Sequence, residues 1–258
     1  MDLKVHQQLI DTIASRMKCL DAEFEASLAF VFYDMGNPEN DTHLRGFTIN
    51  PGFSEKSLPD FDRILQRLED DPRKAWAARV HPEALQAAER FLGERGFKLT
   101  EPEGYPVMHR TEPILRDLKH QIKLLTRANL GSFDFQSATA LLAKVFKLTI
   151  ETAEKILWAA LNSPDEVNQL AVIKADEVIS LGLLTQQKDQ ESAGLYYIST
   201  AVERRGEGLA KDLVSYLSNL AFEQGAKEVI LQASSLGEIV YRQLAYEEVG
   251  RYYHFDNK

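Results

Sequence analysis

Ile198-Ser199-Thr200-Ala201-Val202-Glu203-Arg204-Arg205-Gly206-Glu207-Gly208-Leu209-Ala210-Lys211 is the stretch on which the fold turns. The run from Gly194 to Thr200 is strand-like, and Leu209, Leu213, Leu217 and Leu220 recur at helical spacing. A strand therefore passes through a glycine-rich turn into a helix. Backbone N–H groups at such a turn converge on an anion, and the first-turn N–H groups of the helix add to them because they lack intrahelical partners. Glycine lets the backbone approach a phosphate that a Cβ would hold off, and Ala210 is small for the same reason. The spacing fits neither the Gly-x-Gly-x-x-Gly dinucleotide fingerprint nor a P-loop, which ends in Lys-Ser/Thr. It reads Arg205-x-x-Gly208-x-Ala210.

A second pattern follows downstream, Leu231-Gln232-Ala233-Ser234-Ser235-Leu236-Gly237-Glu238-Ile239-Val240-Tyr241-Arg242-Gln243-Leu244-Ala245-Tyr246. It reads as a strand, a loop and a helix closed by a small residue and an aromatic. With three strand-like segments ahead of the loop, this order resembles the GNAT acetyltransferases over roughly residues 120 to 255. The resemblance implies an α/β (α+β) fold with a mixed, mostly antiparallel sheet flanked by helices. It implies direct transfer of an acetyl group from acetyl-CoA to a primary amine in a ternary complex. The diphosphate would sit on the N–H groups of Arg205, Gly206, Glu207, Gly208, Leu209, Ala210 and Lys211. The strand end Ile198, Ser199 and Thr200 would splay from its neighbour, hold the pantetheine arm and polarise the thioester carbonyl.

By the same resemblance, Tyr241 matches the tyrosine that protonates the departing thiolate. A phenol with pKa near ~10 donates without being charged at neutral pH. Packing on the CoA arm or in the core is the other reading of Tyr241. Ser234 stands where relatives carry an asparagine near the pantetheine; a simple turn residue is the alternative. Val202 replaces a common proline, and Ala245-Tyr246 replaces a common Gly-Phe pair. Glu207 sets a carboxylate beside the expected phosphates. It keeps a second function open, a non-catalytic acyl-CoA-binding or scaffold module derived from the same fold.

Working outward, 258 residues suit two modest domains. The expected division is 1–115 and 116–258. The first part shows strands at Leu28–Tyr33, His43–Asn50, Trp76–Val80 and Tyr105–Arg110. An amphipathic helix at Val5–Leu20, one at Pro59–Glu69 and one opened by Pro82 accompany them. That order fits a degenerate GNAT-like copy in tandem with the second. Its matching turn, Pro51-Gly52-Phe53-Ser54-Glu55-Lys56-Ser57, lacks Arg-x-x-Gly-x-Gly/Ala, so no CoA site is expected there. In the second part, strands are expected at Gln121–Leu125, Leu170–Asp176, Glu177–Thr185 and Glu228–Gln232, and across Tyr246–Phe255. Helices are expected at Ser137–Lys147, Ile150–Leu161 and Gly237–Leu244.

Composition narrows the function classes. Hydrophobic residues make up 44% and charged residues 27% of the chain, an ordinary globular balance. The net charge of -9 argues against nucleic-acid binding, which needs a basic face. It suits a cationic amine substrate, or serves only solubility. Apolar runs fall well short of the ~18–20 residues of a membrane span, and the first residues lack a signal-peptide pattern. With Cys19 as the single cysteine, a cytoplasmic setting is expected. His6, His43, His81, His109, His120 and His254 show no metal-ligand spacing, so no metal is expected. Trp76 and Trp158 are expected in the core. The sequence singles out no general base; Asp176, Glu177 and Tyr197 stand nearest the strands in question. Nothing reads as an acceptor motif or an oligomer interface.

Overall fold

Alternation along the long strands of the second half sorts side chains onto two faces. Leu170 and Val172 pack with one set of helices, Ala171 and Ile173 with another. The computed structural model of the protein describes residues 7, 23–26, 30–34, 45–51, 53, 55–69, 77–163, 166–187 and 191–256. In chain order the first half supplies β1 (Glu23–Ala26), β2 (Phe30–Asp34), β3 (Arg45–Ile49), α1 (Leu58–Glu69), β4 (Ala77–Val80), α2 (Leu85–Gly93), β5 (Lys98–Leu99) and β6 (Tyr105–Arg110). The second supplies β7 (Lys123–Leu125), α3 (Phe133–Phe146), α4 (Ile150–Asn162), β8 (Glu166–Lys174), β9 (Val178–Gln187) and β10 (Ser192–Thr200). It continues with α5 (Leu209–Glu223), β11 (Glu228–Gln232), α6 (Ser235–Gln243) and β12 (Glu247–Asp256).

Among the described residues these strands form one mixed 12-stranded sheet, ordered β1-β2-β3-β4-β12-β6-β11-β10-β9-β8-β7, with β5 on β12. Neighbours are antiparallel except β3 with β4 and β10 with β11. The sheet does not stop at residue 115. β6 comes from the first half by sequence, yet it lies between β11 and β12. β12 pairs first with β6 over Glu247–Tyr252, then with β4 over Tyr253–Asp256. The segment after β6 is tied down as well. Arg110 donates to the carbonyls of Pro113, Leu244 and Ala245 at 3.0–3.1 Å. Asn219 on α5 exchanges hydrogen bonds with the backbone of Ile114, at 2.7 and 3.0 Å.

Helix starts follow local chemistry. Ser132, Thr149 and Ser234 accept hydrogen bonds from the N–H groups of Phe135, Thr152 and Gly237, capping α3, α4 and α6. α5 and α6 cover one face through Leu209, Leu213, Leu217 and Tyr241, packed on Met108, Leu195 and Leu231. α3 and α4 cover the opposite face at the β8–β9 end, through Leu142 and Leu157, packed on Leu181 and Leu183 of β9. α1 and α2 pack on Phe47, Ala78, Val80 and Phe255. Strand parity places that cluster on the α5/α6 side. Each fully buried leucine, such as Leu213 or Leu217, contributes roughly 1.5–3 kcal/mol relative to exposure.

The strands at Tyr105–Arg110 and Glu228–Gln232 run over the residues expected from sequence. Several expectations need correction. Pro82 opens a 3-10 turn, Pro82–Ala84, and α2 begins only at Leu85. The last strand is continuous from Glu247 to Asp256. Trp158 is exposed rather than core, because α4 turns Ile156, Leu157 and Ala160 inward and 158 falls outside that stripe. The Val5–Leu20 helix, Cys19, His6, His43 and Trp76 lie outside the described residues. No helix among the described residues is long and apolar enough to cross a membrane. No group of His, Cys, Asp and Glu among them is arranged to hold a metal.

Candidate functional site

β10 leaves its parallel neighbour halfway along. Register with β11 runs from Ser192↔Glu228 to Leu195↔Leu231 and ends there. From that point β11 follows β6, with Gln232 opposite Val107 and Ala233 N–H donating to Pro106 C=O at 2.8 Å. β10 follows β9 instead, so a wedge opens between β10 and β11. A β-bulge sits at the same place: Tyr196 pairs with Leu183 and Ser199 with Leu181, leaving Tyr197 and Ile198 as the bulge residues. Tyr197 takes φ +55°, a left-handed conformation uncommon for a bulky residue. Its ring meets Phe146 edge-on at 5.8 Å.

The neighbouring glycine explains how the bulge is accommodated. A Cβ at Gly182 on β9 would lie 2.5 Å from Ile198 Cδ1 and 3.0 Å from Leu217 Cδ1. The Ile198 side chain therefore lies over Gly182 beneath α5, leaving the strand's backbone at the wedge. Beyond the bulge, Ala201 N–H donates to Ile179 C=O at 2.9 Å. Alternation then points the N–H and C=O of Thr200 away from β9, into the wedge. Hydroxyls stiffen this strand end. Ser180 Oγ donates to Ser199 C=O at 2.7 Å and sits 2.8 Å from Thr200 Oγ1, while Ser199 Oγ donates to Tyr197 C=O at 2.9 Å.

The strand then turns through the short 3-10 helix Val202–Arg204 into α5. Gly206 and Gly208 have φ +86° and +85°, values that favour glycine, and nothing lies within 4 Å of a Cβ built on either. α5 has no side-chain cap at Gly208. Its first backbone bond runs from Asp212 N–H to Gly208 C=O at 3.1 Å. The N–H groups of Leu209, Ala210 and Lys211 precede it and have no intrahelical acceptor. Arg205 and Glu207 are exposed, Lys211 partly so. This junction suits an anion held by backbone N–H groups and the helix dipole.

Glu207 does not oppose an anion with an unshielded charge. Arg204 grips it bidentately, Nε to Oε1 at 2.6 Å and Nη2 to Oε2 at 2.7 Å. Hydrogen bonding to Arg204 holds the Glu207 carboxyl below its usual range. One turn further, Asp212 is fully buried and gathers the segment before β7. It accepts from Arg116 Nη2 at 2.6 Å and from the N–H groups of Lys119 and His120 at 2.8 and 3.0 Å; His120 Nδ1 lies at 2.7 Å. Sequence reasoning missed this cluster, which links residues 116–120 to α5 across a long separation.

Tyr241 lies on α6, 6% exposed, with its ring against the backbone of Gly237 and tilted on Tyr246 at 5.9 Å between centroids. Burial pushes its phenol well above the usual value, so it stays protonated. Among the described residues its hydroxyl has no hydrogen-bond partner, whereas that of Tyr246 lies 2.7 Å from Ser218 Oγ. The hydroxyl is not among the unpaired side-chain atoms shut off from solvent, so it is open to another group. Ser234 caps α6 with its Oγ and is exposed at the helix start. Asp176 and Glu177 are exposed in the β8–β9 turn.

No family model matches the chain. No curated protein matches it. Solved structures do. A GCN5-related N-acetyltransferase from Kribbella flavida superposes with TM-score 0.66 at 17% identity, over 95% of this chain and 94% of that one. A second, from Sphaerobacter thermophilus, gives 0.58 at 16% identity, over 90% and 81%. A tandem GNAT protein from the clavulanic acid biosynthesis pathway gives 0.60 at 13%, over 88% and 77%. At such identities the likeness establishes the fold: the chain has a GNAT-like α/β fold with a mixed sheet flanked by helices.

Proposed function

We propose that the protein is an acetyl-CoA-dependent N-acyltransferase that acts on an amine by direct transfer in a ternary complex. Residues 116–258 carry the cofactor site in this reading. Residues 1–115 form a degenerate GNAT-like half without one, and the chain works in the cytoplasm. The observation that carries the proposal is the wedge after Leu195↔Leu231, which opens beside an uncapped helix N-terminus reached through two left-handed glycines.

The residues divide the work. Backbone N–H groups from Arg205 to Lys211 hold the diphosphate of acetyl-CoA, with the Arg205 and Lys211 side chains adding positive charge. Ile198, Ser199 and Thr200 line the pantetheine arm, and the Thr200 N–H in the wedge is placed to polarise a carbonyl. Acetyl-CoA supplies the activated acyl group as a thioester. Ser234 bounds the far side of the wedge at the start of α6. Tyr241, neutral and without a hydrogen-bond partner among the described residues, holds the proton that a departing thiolate takes up. Pairing of Glu207 with Arg204 offsets the charge that favoured a non-catalytic binding module.

Calorimetric titration of acetyl-CoA into the protein, beside an Arg205→Ala/Gly208→Asp double variant, tests the assignment. Micromolar binding that the double variant loses is expected. Absence of binding by the unaltered protein would remove the enzyme reading.

A further inference from the structure

Asp212 fastens the segment 116–120 to the first turn of α5 through four contacts. Its carboxylate takes Arg116 Nη2 at 2.6 Å and the N–H groups of Lys119 and His120 at 2.8 and 3.0 Å. These three already tie the segment down. The fourth, His120 Nδ1 at 2.7 Å, adds an imidazole to a closed staple. Because a carboxylate only accepts, Nδ1 carries the proton and donates. Nε2 is then left on the opposite edge of the ring. The side chain is 26% exposed, and among the described residues Nε2 makes no hydrogen bond.

The ring stands beside the phosphate turn. Asp212 N–H donates to Gly208 C=O, so the aspartate lies one turn into α5. Arg204 lowers the Glu207 carboxyl most, and the His120 ring lowers it further. The approach is from a defined side. Residues 121–122 lead from His120 into β7, which lies three strands from β10, across β9 and β8. β11 and the wedge are on the other side of β10. His120 therefore reaches the helix start from the side away from the wedge.

Charge at this junction is unbalanced. Glu203 is taken by Lys144 at 2.9 Å, Glu207 by Arg204, and Asp212 by the segment. Lys119 and Arg205 are exposed and Lys211 partly so. None of these three side chains makes a hydrogen bond or ion pair among the described residues. Asp117 is an exposed, unpaired carboxylate on the same segment, and it leaves the surplus positive. In a chain of net charge -9, a local positive surplus suits an anion. The backbone N–H groups of the turn serve one anion in the reading above. His120 and Lys119 stand outside them.

We infer that His120, set by Asp212 and flanked by Lys119, binds the 3′-phosphate of coenzyme A. The inference rests on the transferase reading above and gives its cofactor a second anchor. With pantetheine in the wedge and the diphosphate on the turn, the nucleotide end continues past the start of α5, on the side from which His120 comes. A phosphate monoester has a second ionisation near ~6, so one proton lies between Nε2 and a phosphate oxygen whether the ring or the phosphate brings it. A segment between the two halves thus takes part in cofactor selection.

Calorimetric titration with CoA and with dephospho-CoA, which lacks only the 3′-phosphate, tests the assignment. CoA should bind about ten- to hundredfold more tightly, the span of a charge-assisted hydrogen bond. In His120→Asn the amide nitrogen replaces Nδ1 and keeps the bond to Asp212, while the outer edge is gone. CoA should then lose most of its advantage, dephospho-CoA should bind as before, and the melting temperature should hold. His120→Gln, whose amide reaches the Nε2 position, should keep part of the preference. Lys119→Ala, on the exposed surface, should lose about two- to fivefold of it and serves where the Asn variant does not fold. Equal affinity of the unaltered protein for the two ligands, a preference that survives His120→Asn, or equal losses for both ligands in that variant would each overturn the inference. Dephospho-CoA that binds as well as CoA leaves the transferase reading standing, whereas binding of neither ligand removes that reading and the inference with it.

Discussion

Each half of the molecule contains a strand, a helix and a parallel strand: β3, α1 and β4 in the first, β10, α5 and β11 in the second. In the first, parallel pairing runs to Ile49↔Val80, the ends of both strands, and His81 N–H extends it by donating to Ile49 C=O at 2.9 Å. The turn before α1 is filled by Phe53, 6% exposed, edge-on to Phe61 at 5.5 Å and Phe91 at 5.8 Å. In the second, pairing stops at Leu195↔Leu231, a bulge parts the strands, and the turn carries two left-handed glycines with nothing within 4 Å of a Cβ built on either. One order of elements thus gives a sealed junction or an open one. The side chain at the turn and the length of parallel pairing decide which.

The comparison can be broken at four places, of decreasing size. Phe53→Ala removes the plug of the sealed junction and should cost about 3–5 kcal/mol in urea unfolding. Acetyl-CoA affinity should stay as it was; a second binding event in calorimetry would show that the aromatic alone kept that junction from binding. At the open junction, Tyr241→Phe should lower kcat by about a hundredfold or more. Melting temperature and acetyl-CoA affinity should hold, because the lost hydroxyl bonds to nothing in the described protein. Unimpaired turnover would return Tyr241 to a packing role.

Gly182→Val attacks the bulge from below, where its side chain meets Ile198 and Leu217. Overpacking of this kind should cost about 1–3 kcal/mol and weaken acetyl-CoA binding as β10 shifts. A destabilised variant with unaltered affinity would separate the bulge from the site. The smallest effect is expected from Glu207→Gln, which frees Arg204 and removes a negative charge. Affinity should tighten by about two- to threefold at neutral pH, with no change in melting temperature. Arg204 depresses the pKa of Glu207, so the carboxylate is charged and paired at neutral pH and protonates only as pH falls through that lowered value. Variant and unaltered protein should converge there.

What the sequence disclosed and what it withheld follow from range. The Leu209–Leu220 stripe and the glycines of the loop act within a few residues, and both were legible; the capping role of Ser234 was not read, and α6 begins at Ser235 rather than Gly237. The left-handed Tyr197 was not legible, since tyrosine disfavours that conformation and only tertiary packing holds it there. Gly182 within β9 was its one trace, an interior strand glycine marking a close approach. The two-residue strand β5 is too short to show a period. The Asp212 cluster and the position of Arg79 opposite His254 depend on strands far apart in sequence, and local pattern carries no record of them. The expected division at 115 gave no sign that β6 would lie between β11 and β12.

That crossing has a consequence for synthesis on the ribosome. β4 gains its neighbour on one side from residues 253–256, among the last of the described chain to emerge. Until they arrive, β4 presents an unpaired edge and Phe255 is missing from the first half's aromatic cluster. β6 must likewise wait for β11 before it is enclosed on that side. The halves cannot mature one after the other, as separate domains do on a growing chain. Closure of the sheet is a single late event, and unpaired edges before it are the stage most exposed to misassociation.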